Sequence, residues 1–211
     1  MPGSRQDAIP RGVRTLGVAA AGATVTATLP ATFPSDGGPT ALDRALAAPI
    51  HAALDTRPGL AHLLVVPSNG YLLVPLLAIA AGWFAYRRLW RSAVLMLATP
   101  ALAVALNAWA WKPLWHRPLH DYLAYPSGHT VHLVAIATTF FVLIDSPRAR
   151  SSTLAIALPA LLAAAVGMIG LDYHLPTDII GGTAAAVAMT LTCCWAARPT
   201  RGTPATQHNS H

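Results

Sequence analysis

Tyr125-Pro126-Ser127-Gly128-His129-Thr130 is a polar, turn-forming stretch set between two long apolar runs. Pro126 and Gly128 punctuate a loop, and the apolar residues from Val131 onward predict a helix. Ser127, Gly128 and His129 then fall at or just before that helix's N-terminus. Backbone N–H groups without intrahelical partners point outward there, at the positive end of the helix dipole, which suits an anion such as phosphate. His129 adds a titratable donor beside them. Taken alone, the stretch reads first as a loop capped by Ser127, and the rest of the chain decides between the two.

Of the 211 residues, 54% are hydrophobic and only 10% are charged, whereas a soluble domain has about a quarter of its residues charged. This composition excludes an ordinary soluble domain and predicts an all-α, polytopic membrane protein. Glutamate is absent, and Lys112 is the only lysine, placed in a polar linker close to the opening stretch. The net charge of +6 raises the question of nucleic acid. The arginines, however, fall in small groups between apolar runs, as the positive-inside bias predicts, so no nucleic-acid partner is expected. Cys193 and Cys194 are adjacent in an apolar run and offer neither a disulfide framework nor metal spacing.

Six spans are expected. The first runs from Thr15 to about Phe33. A signal peptide competes for it, since arginines precede it and Ala20–Gly22 supplies small residues, but the run continues past them without a polar break. The second runs from Tyr71 to about Tyr86, after a turn at Pro67-Ser68-Asn69-Gly70, and part of the preceding apolar segment can enter it. The third is Ser92 to Trp111, the fourth Thr130 to Ile144, the fifth Thr153 to Leu171 and the sixth Asp178 to Ala197. Between the first two, Ala41–Thr56 places Leu42, Leu46, Ile50 and Leu54 at four-residue spacing. That predicts a short amphipathic helix lying in the interface, kinked at Pro49. Residues 1–12 and 198–211 are polar and expected to be disordered, leaving a single membrane-embedded domain over 13–197.

Six spans put both termini on one side. That side carries Arg5, Arg11, Arg14, Arg87, Arg88, Arg91, Arg148, Arg150, Arg198 and Arg201. The other carries Arg44, Arg57, Lys112 and Arg117. The imbalance predicts cytoplasmic termini. Three polar clusters then share the exoplasmic face: Lys112 to Pro118, Pro126 to His129, and Asp172-Tyr173-His174-Leu175-Pro176-Thr177-Asp178. In the third cluster Pro176 opens the sixth helix and Asp178 falls in its first turn. Its carboxylate can reach back to His174, fix the ring tautomer and leave the other ring nitrogen free to attack. Asp178 also reads simply as a favourable charge at a helix N-terminus.

Lys…Arg-Pro, Pro-Ser-Gly-His and His-x-x-x-Asp, in that order and each at a span end, resemble the type 2 phosphatidic acid phosphatase superfamily. The resemblance covers roughly residues 40 to 197, and its specificity lies in these motifs. It implies a six-span helical-bundle core and a lipid phosphatase without a metal or other cofactor. It also implies that His174 is the nucleophile, forming a phosphohistidine, with Asp178 orienting it. His129 would protonate the leaving alkoxide and later help activate water. Lys112 and the Ser127–Gly128 turn would hold phosphate oxygens; beside what the resemblance implies, Arg117 is a candidate phosphate ligand, and His116, His120 and Asp172 are candidate accessory residues. Such positioning and charge stabilisation are what phosphoryl transfer chiefly needs.

Two departures stand out. Where the family's first motif carries Arg-Pro, six residues beyond the lysine, this chain has Leu119 and His120. Arg117-Pro118 comes two residues early. Where the third motif carries Ser-Arg, this chain has Gly167 and Met168. Three explanations stand: a local shift that brings in Arg117 and His120; an unusual substrate, with His116 or His132 restoring the balance; or a member that binds a lipid phosphate without turning it over. The retained His129, His174 and Asp178 favour activity.

The expected reaction is metal-independent hydrolysis of a lipid phosphate or diphosphate, polyprenyl type first, at the exoplasmic face of a bacterial cell membrane. The partners are then the lipid substrate and the bilayer. A phosphotransferase with the same intermediate and a non-catalytic lipid-phosphate-binding subunit are the alternatives. A metal sphere drawn from His116, His120, Asp121, His129, His132, Asp172 and His174 is disfavoured, because Pro118 interrupts the first pair and no closed zinc pattern appears. His51, His62, His208 and His211 lie outside the clusters and are read as bland.

Overall fold

The computed structural model of the protein describes residues 11–197, which are almost wholly helical. α1 (Arg11–Thr28) ends in a 3₁₀ turn and is followed by α2 (Ala41–Leu54), α3 (Pro58–Val65) and α4 (Gly70–Tyr86). α5 (Trp90–Leu106) passes through a π-helical stretch (Asn107–Trp111) into α6 (Lys112–Trp115). α7 (Gly128–Leu143), α8 (Pro147–Gly170) and α9 (Pro176–Ala196) complete the bundle. Four continuous helical segments are long and apolar enough to cross a membrane: Pro58–Tyr86, Trp90–Trp115, Pro147–Gly170 and Pro176–Ala196. With α1 and α7 they make six bundle helices, and the chain is an integral membrane protein. Ile79 and Ile156, 68% and 72% exposed, face outward where lipid would solvate them.

α7 has 16 residues, about 24 Å at 1.5 Å per residue, short of a hydrocarbon core of roughly 30 Å. It sits at the bundle centre instead, packed on α9, α5, α8 and α4. A helix apolar on all sides is suited to that place. Its Val131 and Ala135 are fully enclosed together with Ala103 of α5 and Ala186 of α9. Lower down, Leu133 and Ile136 meet Leu73, Phe84 and Met96. α1 runs antiparallel to α9: Gly12 lies near Trp195 at one end, and Thr26 Oγ1 donates to the Gly181 carbonyl at the other, at 3.4 Å. The α7 and α9 N-termini therefore lie at the same end of the bundle as α6.

Several boundaries differ from the sequence reading. Pro67-Ser68-Asn69-Gly70 does not separate two segments. Val66–Ser68 forms a 3₁₀ turn, the Ser68 hydroxyl donates to the Val65 carbonyl at 2.9 Å, and the second span reaches back to Pro58. Lys112 is not in a linker. The helix continues through Pro113, which sits near the start of α6 where a missing N–H costs least. The charged loop 145–152 is largely the first turn of α8. Ser146 caps it by accepting from the Ala149 N–H, with Pro147 at its first position. The first span stops at Thr28, before Pro30. The linker after α6 contains a short antiparallel ladder, Pro118–Leu119 against Tyr122–Leu123, turned at His120 and Asp121. The expected disordered ends lie outside the described residues, apart from Arg11 and Gly12, which open α1.

Candidate active site

A cavity of about 540 Å³ opens where α5–α6, α7 and the α8–α9 loop meet. The helix end supplies Asn107 and Lys112, α7 supplies Gly128, His129 and His132, and the loops supply Tyr122, Tyr173 and His174. The His129 and His174 rings stand edge to face, with centroids 6.1 Å apart. His174 is only 5% exposed, and its Nδ1 lies 3.7 Å from Asp178 Oδ2, longer than a hydrogen bond. Lys112 Nζ donates to the Leu123 carbonyl and lies over the Tyr122 ring. Tyr122 in turn donates its hydroxyl to the Tyr173 carbonyl, tying the hairpin to the His174 loop. Burial pushes the Tyr122 hydroxyl above its usual pKa, with the nearby Asp178 charge acting the same way.

The N-terminus of α7 is built for this position. Ser127 caps the helix by accepting from the Thr130 N–H at 3.4 Å. The Ser127 N–H donates to the Asp178 carbonyl at 3.0 Å, which docks the α7 start directly on the α9 start. That approach requires Gly182, because a Cβ there would come within 2.8 Å of the Ser127 carbonyl oxygen. Tyr125, joined to Pro126 by a cis peptide bond, lays its ring on Gly181 and donates its hydroxyl to the Thr26 carbonyl at 2.6 Å. Burial, reinforced by the Asp178 charge, raises that hydroxyl's pKa well above the usual tyrosine value.

Arg117 does not face the cavity, contrary to the expectation that it holds phosphate. It is 1% exposed, and all five of its N–H donors are engaged. Nε donates to the Gly37 carbonyl at 3.0 Å. One terminal nitrogen donates to Thr177 Oγ1 at 2.6 Å and Asp178 Oδ1 at 2.8 Å. The other donates to the Gly38 carbonyl and to Asp43 Oδ2, both at 3.0 Å. Phe33 lies against its guanidinium face. Asp43 also accepts from the backbone N–H groups of Thr40 and Thr177, at 2.9 and 2.8 Å. Burial works to raise the Asp43 pKa, but these hydrogen bonds and the guanidinium outweigh it and hold the carboxyl below its usual value. Asp178 Oδ2 accepts the Leu175 N–H at 2.9 Å, as a first-turn acidic residue should. A buried Asp43–Arg117–Asp178 cluster thus stands directly behind His174.

Other expected residues divide the same way. Lys112, Gly128, His129 and His174 share the cavity, and Asp178 lies behind it. Ser127 is fully buried and its side chain turns to Thr130 and Met168, so only its backbone serves the site. His116, His120 and Asp172 are exposed, each with positive φ, and are not among the residues lining the cavity. His120 stacks instead on the Tyr122 ring, with centroids 6.2 Å apart. Asp172 lies 3.6 Å from His51, read as bland from the sequence. Met168 is fully enclosed, and Gly167 packs against the α3 backbone, so neither position offers a cation. Among the described residues no three His, Cys, Asp or Glu side chains gather closely enough to hold a metal ion. The sequence reading missed Asn107, Tyr122, Tyr173 and Asp43. Asp43 had a usable local signal, the Thr40-x-x-Asp43 capping box, but its partners are over 70 residues away.

Residues 105–201 match the model of the PAP2 superfamily. No curated protein matches the chain. Among solved structures, a transmembrane PAP2-type phosphatidylglycerolphosphate phosphatase from Bacillus subtilis is similar, with a TM-score of 0.66 at 20% identity. The likeness covers 90% of this chain and 98% of that one. At this identity it establishes the fold.

Proposed function

We propose, from the match of residues 105–201 to the PAP2 superfamily model, that the chain is a lipid phosphate phosphatase of that superfamily working through a phosphohistidine on His174. The observation that carries this reading is the meeting of two histidines from distant segments, His129 and His174, across a cavity that Lys112 also lines. Nδ1 of His174 faces Asp178, so a proton held there leaves the Nε2 lone pair to attack phosphorus. Contacts of this type are often long before substrate binds and tighten in the complex. As the bond from Nε2 to phosphorus forms, the bond from phosphorus to the lipid oxygen breaks. Protonated His129 gives its proton to the departing oxygen. His129 then takes a proton from water, the resulting hydroxide attacks phosphorus, and the electrons of the P–N bond return to His174. Lys112 and the outward N–H groups of the α7 N-terminus stabilise the phosphoryl oxygens.

The proposed substrate is a polyprenyl-type phosphate or diphosphate at the exoplasmic face of a bacterial membrane. The orientation is supported by the bundle's charge: Arg14, Arg87, Arg88, Arg91, Arg148 and Arg150 belong to the end away from the cavity, whereas Arg44, Arg57, Lys112 and Arg117 belong to the cavity end. The Bacillus subtilis protein, by its name, acts on phosphatidylglycerol phosphate, and that monoester is the rival substrate. The test is phosphate release by the purified full chain from polyprenyl diphosphate, polyprenyl phosphate and phosphatidylglycerol phosphate, with and without EDTA. Release that survives EDTA, disappears in His174→Ala and is fastest on a polyprenyl substrate is expected. Binding without release from any substrate would sink the proposal in favour of a lipid-binding subunit.

A further inference from the structure

We propose that Asn107 is a ligand of the phosphoryl group, a neutral hydrogen-bond donor serving where this chain lacks cations at Leu119 and Met168. This rests on the phosphatase reading above and assigns a further residue to that site. Three observations on separate features carry it. Asn107 is 3% exposed, yet it lines the cavity, and its Oδ1 is buried without a hydrogen-bond partner. The orphaned Oδ1 is an acceptor and calls for a donor, which a protonated phosphoryl oxygen or a water arriving with the anion supplies, whereas the end of the carboxamide that donates to a phosphoryl oxygen is Nδ2. Its Nδ2 lies beside Gly128, 3.5 Å from where a Cβ would stand, and so at the α7 N-terminus where the phosphoryl oxygens are proposed to sit.

The third observation is the backbone. Asn107 opens the π-helical stretch, and the Lys112 N–H donates to the Asn107 carbonyl, an i to i+5 bond. In an α-helix, five residues at 100° each would put these side chains about 140° apart. The wider π turn reduces that angle, and both residues line the same cavity. Local π segments recur at functional sites, where they re-aim a side chain. Here the effect is to place an amide donor beside the sole lysine. A site with one lysine, helix-end amides and a carboxamide carries less charge than one with two added arginines. It still presents several donors to a tetrahedral anion.

The test uses orthovanadate as a phosphoryl mimic against the purified full chain in detergent, with Asn107→Ala and Asn107→Asp. Alanine removes the donor, while aspartate keeps the shape and brings a repelling charge. A ligand role predicts vanadate inhibition constants raised roughly ten- to a hundredfold in Asn107→Ala. It predicts a further rise in Asn107→Asp, eased as pH falls and the new carboxyl protonates. A purely structural role predicts the opposite order, since the nearly isosteric aspartate fills the space better than alanine. That order, or wild-type constants in both variants, overturns the inference while leaving the phosphatase reading intact. If the wild-type chain hydrolyses none of the lipid phosphates, the phosphatase reading fails instead. Calorimetric binding of inorganic phosphate then decides Asn107: binding weakened most in Asn107→Asp supports it, and equal binding by all three proteins overturns it.

Discussion

Replacing Arg117 by alanine should damage folding rather than substrate affinity. The guanidinium is enclosed and makes five hydrogen bonds of 2.6–3.0 Å, two of them to the fully buried carboxylates of Asp43 and Asp178. Removing one partner of a buried ion pair costs about 3–5 kcal/mol, because the remaining charge is left without compensation. Here one cation serves two carboxylates, which places the loss at the upper end of that range. For a chain of this size each kcal/mol moves the thermal midpoint by about 2–4 °C, so a fall of about 10–20 °C is expected. The assay is thermal unfolding of the purified protein in detergent, beside KM for a lipid phosphate. Arg117→Lys should recover only part of the loss, since three ammonium donors cannot satisfy five acceptors. Asp43→Asn combined with Arg117→Ala should be less harmful than the sum of the single changes, because each removes the other's partner. An Arg117→Ala protein with wild-type thermal stability and a selectively raised KM would refute this reasoning and return Arg117 to the phosphate.

Three further outcomes are expected. Gly182→Ala should lower turnover at least tenfold, since the new Cβ would push the Ser127 carbonyl from its 2.8 Å approach and shift His129 away from His174; activity and thermal midpoint together check it. Lys112→Met should raise the vanadate inhibition constant by about tenfold or more with a near-wild-type midpoint, as it removes the cavity's lysine while leaving the apolar stem. The third concerns acid. Because the folded Asp43 carboxyl lies below its ordinary value of 3.8, its contribution to stability is fully present above that pH and is lost as pH falls through the folded value. The wild-type midpoint should therefore drop below about pH 4. Asp43→Asn, less stable throughout, should drop by less over the same interval.

Much of the bundle and part of the site were legible because their signals are local. Apolar runs located the spans, and a loop, a capping serine and a glycine placed His129 at a helix start. Pro176 and Asp178 likewise marked the start of α9 behind His174. What escaped was set by contacts between distant segments or by departures from regular geometry. Arg117 sits beside a proline, like a motif residue. Its partners at Gly37, Gly38, Asp43, Thr177 and Asp178 come from both sides of the linker and cannot be read from spacing. Asn107 was invisible because it lies five residues from Lys112, a separation that shares a face only in a π turn. The start of the second span was obscured by Pro67 and Gly70, which mark turns in most settings. Here they fall on a 3₁₀ turn inside a helix held by the surrounding bundle.

The phosphohistidine itself is the most direct test. Full-length protein would be mixed with a lipid phosphate labelled at the phosphoryl group, quenched within milliseconds to seconds, and examined for acid-labile, alkali-stable label on protein. The label should map to His174, be absent in His174→Ala, and accumulate in His129→Ala if breakdown of the intermediate slows more than its formation. Turnover that persists in His174→Ala, or label mapping to any other residue, would contradict the mechanism.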